Sequence, residues 1–166
     1  IEPREPTGEE IPIDSADELA KIGKDYPLNG NYILTDNIDL SNIENWEPIG
    51  TRSSSFKGSF DGNGYKITRL TISRSTENYV GLFGYTEKAT IENVALEDIN
   101  VTGGNYTGGL VGYANYATTI TNSYATGAVT GGAGTGGLVG RAYNSSITNS
   151  YATGSVEGTG SYTGGL

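Results

Sequence analysis

The chain contains no cysteine, no histidine and no methionine. Without cysteine no disulfide can hold the fold together, and zinc sites or catalytic triads built on His or Cys are excluded. No run of about twenty apolar residues is present, so the sequence predicts no membrane insertion. The 10 Lys and Arg residues are outnumbered by 19 Asp and Glu, which gives a net charge of −9. Since an acidic surface repels phosphate backbones, nucleic acid is not expected as a partner.

Charge is also scarce in the second half of the chain. After Thr102 the only charged residues are Arg141 and Glu157, and Gly, Thr, Ser, Asn and Tyr dominate this half. A length of 166 residues indicates one folding unit rather than two independent domains. Because the chain begins at Ile1 and ends in "SYTGGL", we expect it to be a piece of a longer product.

The dominant pattern is an internal repeat of 28 residues. Each unit contains short runs rich in Val, Ile, Thr and Tyr, separated by Gly and Asn, which is typical of short strands and turns. One unit cannot bury its apolar side chains alone, whereas stacked units place Leu on Leu and Ile on Ile. The sequence therefore predicts an all-β fold, a right-handed parallel β-helix (solenoid). The repeated Gly-Leu pairs are Gly81 and Leu82, Gly109 and Leu110, Gly137 and Leu138, and Gly165 and Leu166.

Two other repeat architectures have periods that come near this one. A leucine-rich horseshoe can have a period of about 29 residues, and "IENVALEDINV" loosely fits its strand consensus. The later units, however, lose leucine at those positions and offer no helical return segment. A propeller blade needs a longer period. The β-helix is therefore the favoured architecture.

Three regions are expected along the chain. Residues 1–12 are rich in Pro and Glu, which predicts a linker or tether. Residues 13–78 are predicted to form an N-terminal cap and irregular first coils. Within them, "SADELAKIG" has Ser15 followed three residues later by Glu18, a capping box that predicts one short helix with Leu19 and Ile22 on one face. Residues 79–166 carry the 28-residue repeats, in an array truncated at its C-terminus.

Two segments of this repeat array resemble a known family. "GGLVGYANYATTITNSYATGAVTGG" and "GGLVGRAYNSSITNSYATGSVEG" are similar to the GLUG repeat, named for its Gly-Leu-hydrophobic-Gly signature and found in large bacterial surface and secreted proteins. Some of these are similar to adhesins and to immunoglobulin A1 proteases. Residues 81–108 depart from the pattern, with Phe83 in place of Val, and indicate a transition coil.

The resemblance implies a function as well as a fold. It implies an extracellular location, at the bacterial cell surface or secreted, and a non-catalytic stalk or adhesin-like binding module. The partners would be a host or environmental glycan or protein, and further repeats or domains of the same parent chain. No cofactor is expected. If the parent is a zinc protease, its metal-binding motif lies elsewhere, because this chain has no His.

Tyrosines recur in phase with the repeat. Tyr85, Tyr113 and Arg141 share one position of the unit, and Tyr124 and Tyr151 share another. Residues in one phase would stack into short ladders, with the arginine capping one of them by a cation–π contact. Such ladders stiffen a sheet, which is the structural interpretation. Aromatic rings beside Asn and Thr are also typical of glycan and protein recognition surfaces, so these five residues are the candidate ligand-binding residues.

Two further motifs have structural interpretations. "DGNG", from Asp61 to Gly64, matches the start of a calcium loop, with Asp61 and Asn63 as candidate ligands. Tyr65 and Ile72 occupy later positions at which that loop needs oxygen ligands, so a tight turn is favoured over a metal site. One asparagine recurs at the same corner of each unit and is expected to form a hydrogen-bonded side-chain ladder: Asn93, Asn122 and Asn149.

Three functional alternatives to this scaffold are a polysaccharide-active enzyme, a substrate-positioning domain and an ice-binding protein. A polysaccharide-active β-helix enzyme would need charged residues that converge on one face. No sequence spacing places two carboxylates at a catalytic separation. A solvated acidic surface is therefore favoured over a catalytic site for the acidic residues near the strands. A substrate-positioning domain of an immunoglobulin A1 protease-like protein is the second alternative. An ice-binding face is not indicated, because no column of T-x-T crosses the units. The acidic pool comprises Asp36, Asp39, Asp61, Glu92, Glu97 and Asp98.

Overall fold

The computed structural model describes residues 1–166, which form a parallel β-solenoid of about five turns. This confirms the predicted all-β fold with stacked parallel strands. The only helix is a single turn, and no helix is long and apolar enough to cross a membrane. The elements are β1 Ile11–Ile13, α1 Ala16–Leu19, β2 Asn31–Leu34, β3 Ile38–Asp39, β4 Ser59–Asp61, β5 Lys66–Thr68, β6 Thr71–Ser73, β7 Phe83–Glu87, β8 Thr90–Glu92, β9 Ala95–Thr102, β10 Val111–Asn115, β11 Thr119–Thr121, β12 Tyr124–Gly131, β13 Thr135–Gly136, β14 Val139–Ala142, β15 Ser146–Thr148, β16 Tyr151–Gly158 and β17 Thr163–Gly164.

The strands form three main faces that run along the solenoid. The first face is a six-stranded sheet in the order β1-β2-β4-β8-β11-β15. The second face has the order β16-β12-β9-β5-β3, with β6 also paired to β9, and the third has the order β14-β10-β7. A small fourth sheet joins β13 to β17. Each pair is parallel, because equivalent strands come from successive turns of the chain.

Equivalent residues of successive repeats are vertical neighbours. The main-chain N–H of Leu110 donates to the carbonyl of Leu138 at 2.9 Å, and that of Leu82 donates to the carbonyl of Gly109 at 3.1 Å. All three leucine side chains are fully buried. A Cβ on Gly109 would lie 2.6 Å from the carbonyl oxygen of Gly137, so the close approach of the coils requires glycine at this position.

Large aromatic side chains fill the core of the first coils. Trp46, Phe56, Phe60 and Phe83 are buried, and the Phe56 and Phe83 rings lie 4.8 Å apart. The indole N–H of Trp46 donates to the carbonyl of Leu82 at 3.1 Å, which satisfies its one polar group. The later coils use smaller apolar side chains in the same interior. The irregular first coils therefore form one continuous core with the repeats.

The predicted N-terminal helix is present but short. Ser15 Oγ accepts from the main-chain N–H of Glu18 at 3.2 Å, which is one half of the predicted capping box. The Glu18 carboxylate binds the hydroxyl of Tyr26 and the ammonium of Lys21 instead of the Ser15 amide. Leu19 and Ile22 are both buried, although Ile22 lies beyond the end of the helix.

The first ten residues have no helix or strand but are bound to the solenoid. The Arg4 guanidinium pairs with Glu10 at 2.7 Å and with Asp61 of β4 at 3.1 Å. The Arg4 amide donates to Asn63 Oδ1, and Asn63 Nδ2 donates back to the Arg4 carbonyl, both at 2.8 Å. Strand β1 begins at Ile11, so the last two residues of the predicted tether belong to the first coil. The division into tether, cap and repeats stays a prediction.

Candidate functional site

The predicted column of Tyr85, Tyr113 and Arg141 is present on the third face. Register pairs Tyr113 with Tyr85 on one side and with Arg141 on the other. The two rings stack with centres 5.0 Å apart and planes 17° apart, and the Arg141 guanidinium carbon lies 5.3 Å from the Tyr113 ring centre. The structure therefore brings these three residues together in the predicted order.

A second tyrosine column lies beside the first and was missed from the sequence. Tyr79 and Tyr106 stack at 5.5 Å, and each meets the first column edge-to-face, Tyr79 on Tyr85 at 5.3 Å and Tyr106 on Tyr113 at 5.2 Å. The sequence feature that marks this second column is a tyrosine just before the Gly-Leu pair, in "YVGL" and "YTGGL". The first of these segments is one residue shorter, so Tyr79 and Tyr106 do not share the 28-residue phase. We call these four tyrosines with Arg141 the tyrosine cluster.

Burial and charge differ across the tyrosine cluster. Tyr85 is only 8% exposed, and burial raises the pKa of its hydroxyl, whereas Arg141 is exposed at the outer edge. The pKa of Arg141 is raised, first by Tyr106 and then by Tyr113. No ion pair of the molecule includes Arg141. The cluster therefore ends in a cation with no carboxylate partner.

The other predicted ladder, Tyr124 on Tyr151, is present on the second face. The rings are 5.0 Å apart and 3° from parallel. The hydroxyl of Tyr124 donates to Glu97 at 2.5 Å, and the same carboxylate pairs with Lys66 at 3.2 Å. Burial, and then the bond to Glu97, raises the pKa of Tyr124 to about 12. The Tyr124 bond in turn lowers the pKa of Glu97.

The predicted asparagine corner lies next to this ladder. Asn93, Asn122 and Asn149 all have positive φ, at 57°, 49° and 49°, as expected for a bend. The predicted bonds between their side chains are absent. Main-chain bonds hold the corner instead: the Asn93 amide donates to the carbonyl of Thr121, and the Asn122 amide donates to that of Thr148.

A serine column, not recognised from the sequence, makes the side-chain bonds between coils at this corner. Ser123 Oγ accepts from the Val94 amide at 3.1 Å, and Ser150 Oγ accepts from the Ser123 amide at 3.1 Å. The side chains of Asn122 and Asn149 therefore stay free of protein hydrogen bonds. They line a groove of about 490 Å³ together with Lys66, Tyr124 and Tyr151.

The calcium candidates lie in a tight turn, as the favoured interpretation required. Asn63 and Gly64 have positive φ of 55° and 79°. Asp61 Oδ1 accepts from the Asn63 amide at 2.8 Å and from Asn93 Nδ2 at 3.0 Å, and Arg4 binds Oδ2 at 3.1 Å. The side-chain oxygen of Asn63 accepts from the Arg4 amide. These oxygens are therefore already bound to protein donors, which supports the turn interpretation.

The acidic pool is divided between the faces. Asp61 and Glu92 are neighbours in register on the first face, and burial, followed by the charge of Asp61, raises the pKa of Glu92. On the second face Asp39 pairs with Arg69, and Glu97 is bound as described above. Neither Asp61 nor Glu92 lines any of the five cavities of about 300 to 490 Å³ on the molecule. This pair of carboxylates therefore does not open into a described cleft.

The fold and the stacked side chains define a repeat solenoid with aromatic ladders on its outer faces. The sequences of residues 103–130 and 131–157 each match the model of the GLUG motif. Together these two segments cover less than half of the chain. They form a GLUG repeat region, which confirms the resemblance identified from the sequence.

Three known proteins are similar to parts of this chain. Halomucin of Haloquadratum walsbyi is 40% identical over 109 residues, which are 58% of this chain and 1% of halomucin. A Gly-rich membrane protein of Evansella cellulosilytica is 33% identical over 96 residues, 54% of this chain and 11% of that protein. The chain thus spans a small fraction of both relatives. A Bacteroides ovatus structure described as an immunoglobulin A1 protease aligns with 89% of this chain and 77% of the Bacteroides chain. The TM-score is 0.39 and the sequence identity 14%, a likeness too low to inform function.

Proposed function

We propose that this solenoid is a non-catalytic stalk or adhesin-like binding module of a larger extracellular protein. The observation that carries the proposal is the pair of stacked tyrosine ladders on the outer faces of a regular solenoid. Stacking fixes the rings without any contribution from a ligand, so a recognition surface built on them is preorganised. The ligand would be a host or environmental glycan or protein.

The names of the relatives support a location at the cell surface or in the secreted fraction. One is a mucin by name and the other a membrane protein by name. A protein with long arrays of such coils would hold a binding surface away from the cell. The low charge of the repeat region suits this role, because neutral faces respond little to the salt of the medium.

Side chains around the groove at the asparagine corner favour a glycan ligand. Asn122 and Asn149 present unbonded amides, each of which can donate and accept hydrogen bonds to sugar hydroxyls. Tyr151 is 53% exposed and offers an apolar ring face beside them. An apolar ring next to amide donors and acceptors matches the two kinds of surface on a pyranose.

A glycan array tests this function. We expect the wild-type chain to bind at least one glycan, and Tyr113→Ala or Tyr151→Ala to weaken that binding by about tenfold or more, in the range found for interface aromatic residues. Tyr116→Ala is the matched control, because Tyr116 is 52% exposed and takes part in no aromatic pair. Circular dichroism would verify that all three variants are folded.

The same array separates recognition from the alternatives. Absence of binding to any glycan by the wild type would contradict the glycan interpretation and leave the stalk role. Release of shortened oligosaccharides would instead support a polysaccharide-active enzyme. A separate pull-down with a protein substrate of a protease-like parent would test the substrate-positioning role, which the array does not address.

A further inference from the structure

The second tyrosine column lacks one ring. Backbone bridges connect Val80 to Thr107 and Thr107 to Thr135, and Thr135 pairs with Thr163. The residue directly before each of these four positions is therefore equivalent in successive coils. Three of these preceding residues are tyrosine and one is glycine: Tyr79, Tyr106, Gly134 and Tyr162. Their φ angles are similar and positive, at 63°, 60°, 68° and 66° in that order.

The missing ring leaves a cavity between the two tyrosines that flank Gly134. It measures about 400 Å³ and is lined by Tyr106, Ala133, Gly134, Gly140, Arg141 and Tyr162. Since coils repeat every 4.8 Å or so, Tyr106 and Tyr162 are separated by roughly 9.6 Å along the solenoid. The Tyr106 ring leans toward Gly134, so a ligand ring in this cavity would contact Tyr106 on one side and Tyr162 on the other.

Arg141 supplies the chemistry of this cavity. Its guanidinium carbon lies 5.8 Å from the ring centre of Tyr106, 5.3 Å from that of Tyr113 and 5.8 Å from that of Tyr143. The guanidinium has no carboxylate partner in the molecule, although its planar fork of N–H donors matches a carboxylate in two parallel bonds. A carboxylate on the ligand ring would supply the partner that the protein lacks.

We propose that the slot formed by Tyr106, Gly134, Arg141 and Tyr162 binds a uronate, the carboxylated sugar ring of an acidic polysaccharide. The pyranose ring lies between the two tyrosines and its carboxylate lies on Arg141. A sugar fits the slot better than an aromatic anion does, because the surrounding phenol hydroxyls can bond to hydroxyls around the edge of the sugar ring. This inference rests on the proposed recognition function and names its ligand class.

Filling the slot provides the sharpest test. Gly134→Tyr completes the column, and the main chain is suited to it because the other three residues of the column are tyrosines with nearly the same φ. The new Cβ would lie 2.8 Å from Tyr106 Cδ1, so the Tyr106 ring has to tilt. By isothermal titration with tetragalacturonate, we expect this variant to bind at least about tenfold more weakly than wild type, with an unchanged circular dichroism spectrum.

Two further variants separate charge from shape. Arg141→Gln should remove the preference for tetragalacturonate over the same oligosaccharide with its carboxyls reduced to alcohols, while Arg69→Gln, a control on the second face, should keep that preference. Tyr162→Ala removes one wall of the slot and should weaken binding by about tenfold. Since the Tyr162 side chain is 88% exposed, this variant is expected to fold even if Gly134→Tyr does not.

The proposal would be overturned if tetragalacturonate did not bind or if its carboxyl-reduced form bound with equal affinity. Undiminished binding by Gly134→Tyr or by Tyr162→Ala would overturn it as well. Tighter binding of benzoate than of the uronate would show a slot for aromatic anions and would also overturn it. Loss of neutral-glycan binding in Tyr151→Ala, with no effect of Gly134→Tyr on any glycan, would refute the slot while leaving recognition by the solenoid intact.

Discussion

At the scale of single residues, buried hydroxyls close the turns of each coil. Thr107 Oγ1 donates to the carbonyl of Gly104 at 2.8 Å, and Thr135 Oγ1 donates to that of Gly132 at 2.7 Å. Both threonines are buried, and no buried side-chain polar atom of the molecule lacks a partner. The hydroxyls of Thr and Ser inside the solenoid are therefore satisfied by main-chain carbonyls two or three residues away in the same coil.

Ser123 is the buried hydroxyl whose loss should be easiest to measure. It is 1% exposed, accepts from the Val94 amide and donates to the carbonyl of Thr121 at 2.9 Å. Ser123→Ala leaves the buried Val94 amide without its acceptor, so we expect a loss of about 1–3 kcal/mol in the free energy of unfolding. Urea denaturation followed by circular dichroism measures it.

A matched control for this variant lies on β16. Ser155→Ala changes an exposed serine that pairs in register with Ala128, so the alanine side chain already occurs at that position one coil earlier. We expect its effect to stay within about 0.5 kcal/mol. Equal losses for the two substitutions would show that the bond between Ser123 and Val94 does not hold the coils together.

At the scale of elements, the stacked strands place one leucine of each coil on the next. Leu110 is fully buried between Leu82 and Leu138 in neighbouring coils. Leu110→Ala should cost about 2–5 kcal/mol, because the main chain above and below is held by interstrand bonds and cannot collapse into the void. Thermal and urea unfolding would measure the loss.

Leu166→Ala is the control for the leucine column, because this side chain is 45% exposed. Its effect should remain within about 0.5 kcal/mol. If Leu110→Ala were equally mild, the leucine column would not be the main source of cohesion between coils, and the stacking of smaller side chains would have to supply it.

The repeat made much of the fold predictable from sequence. Where units share a phase, identical letters become vertical neighbours, which is why the columns of Leu110, Tyr113 and Tyr124 were found in advance. The Tyr106 column was missed because one residue is absent from the coil before it. The sequence predicted the position of the asparagine corner correctly, but it predicted side-chain bonds from Asn122 where the structure has them from Ser123. A sequence period does not say which way a side chain points.

Contacts in the first coils could not be predicted in the same way. Those coils have no shared period, so neighbours such as Arg4 and Asp61, which are 57 residues apart, are set by tertiary packing alone. The same holds for the bond from Trp46 to Leu82. The empty position at Gly134 also needed coordinates, because a glycine in a repeat shows only that a side chain is missing and not what surrounds it.

At the scale of the whole molecule, charged residues are concentrated towards the N-terminal end. Ion pairs among them hold the N-terminal segment against the solenoid. Arg4 holds Glu10 and Asp61, so residues 1–10 lie against the first face. The hydrogen bond from Arg4 is the main cause that lowers the pKa of Glu10 from 4.5 to about 2. Ionised Glu10 therefore stabilises docking above about pH 4.5, and this contribution is lost as the pH falls from about 4.5 to about 2.

Titration of Glu10 by NMR tests this docking. We expect a midpoint near 2 in the wild-type chain and a clearly higher midpoint in Arg4→Gln, which loses the largest cause of the lowered pKa. Glu18 is an internal control, because its pKa is lowered first by the Tyr26 hydroxyl and then by Lys21, neither of which contacts Arg4. An unchanged Glu10 midpoint in Arg4→Gln would show that the segment is not held by this pair.

The parallel pairing of successive coils has a mechanical consequence. Hydrogen bonds between coils run along the solenoid axis, so a pull on the two ends puts the full force on every coil boundary, and the boundaries break one after another. Each coil that detaches would release 28 residues of chain, roughly 90 Å when extended, from a layer roughly 4.8 Å thick. Under tension such an array would lengthen in steps and absorb work at each one, behaving as an extensible tether.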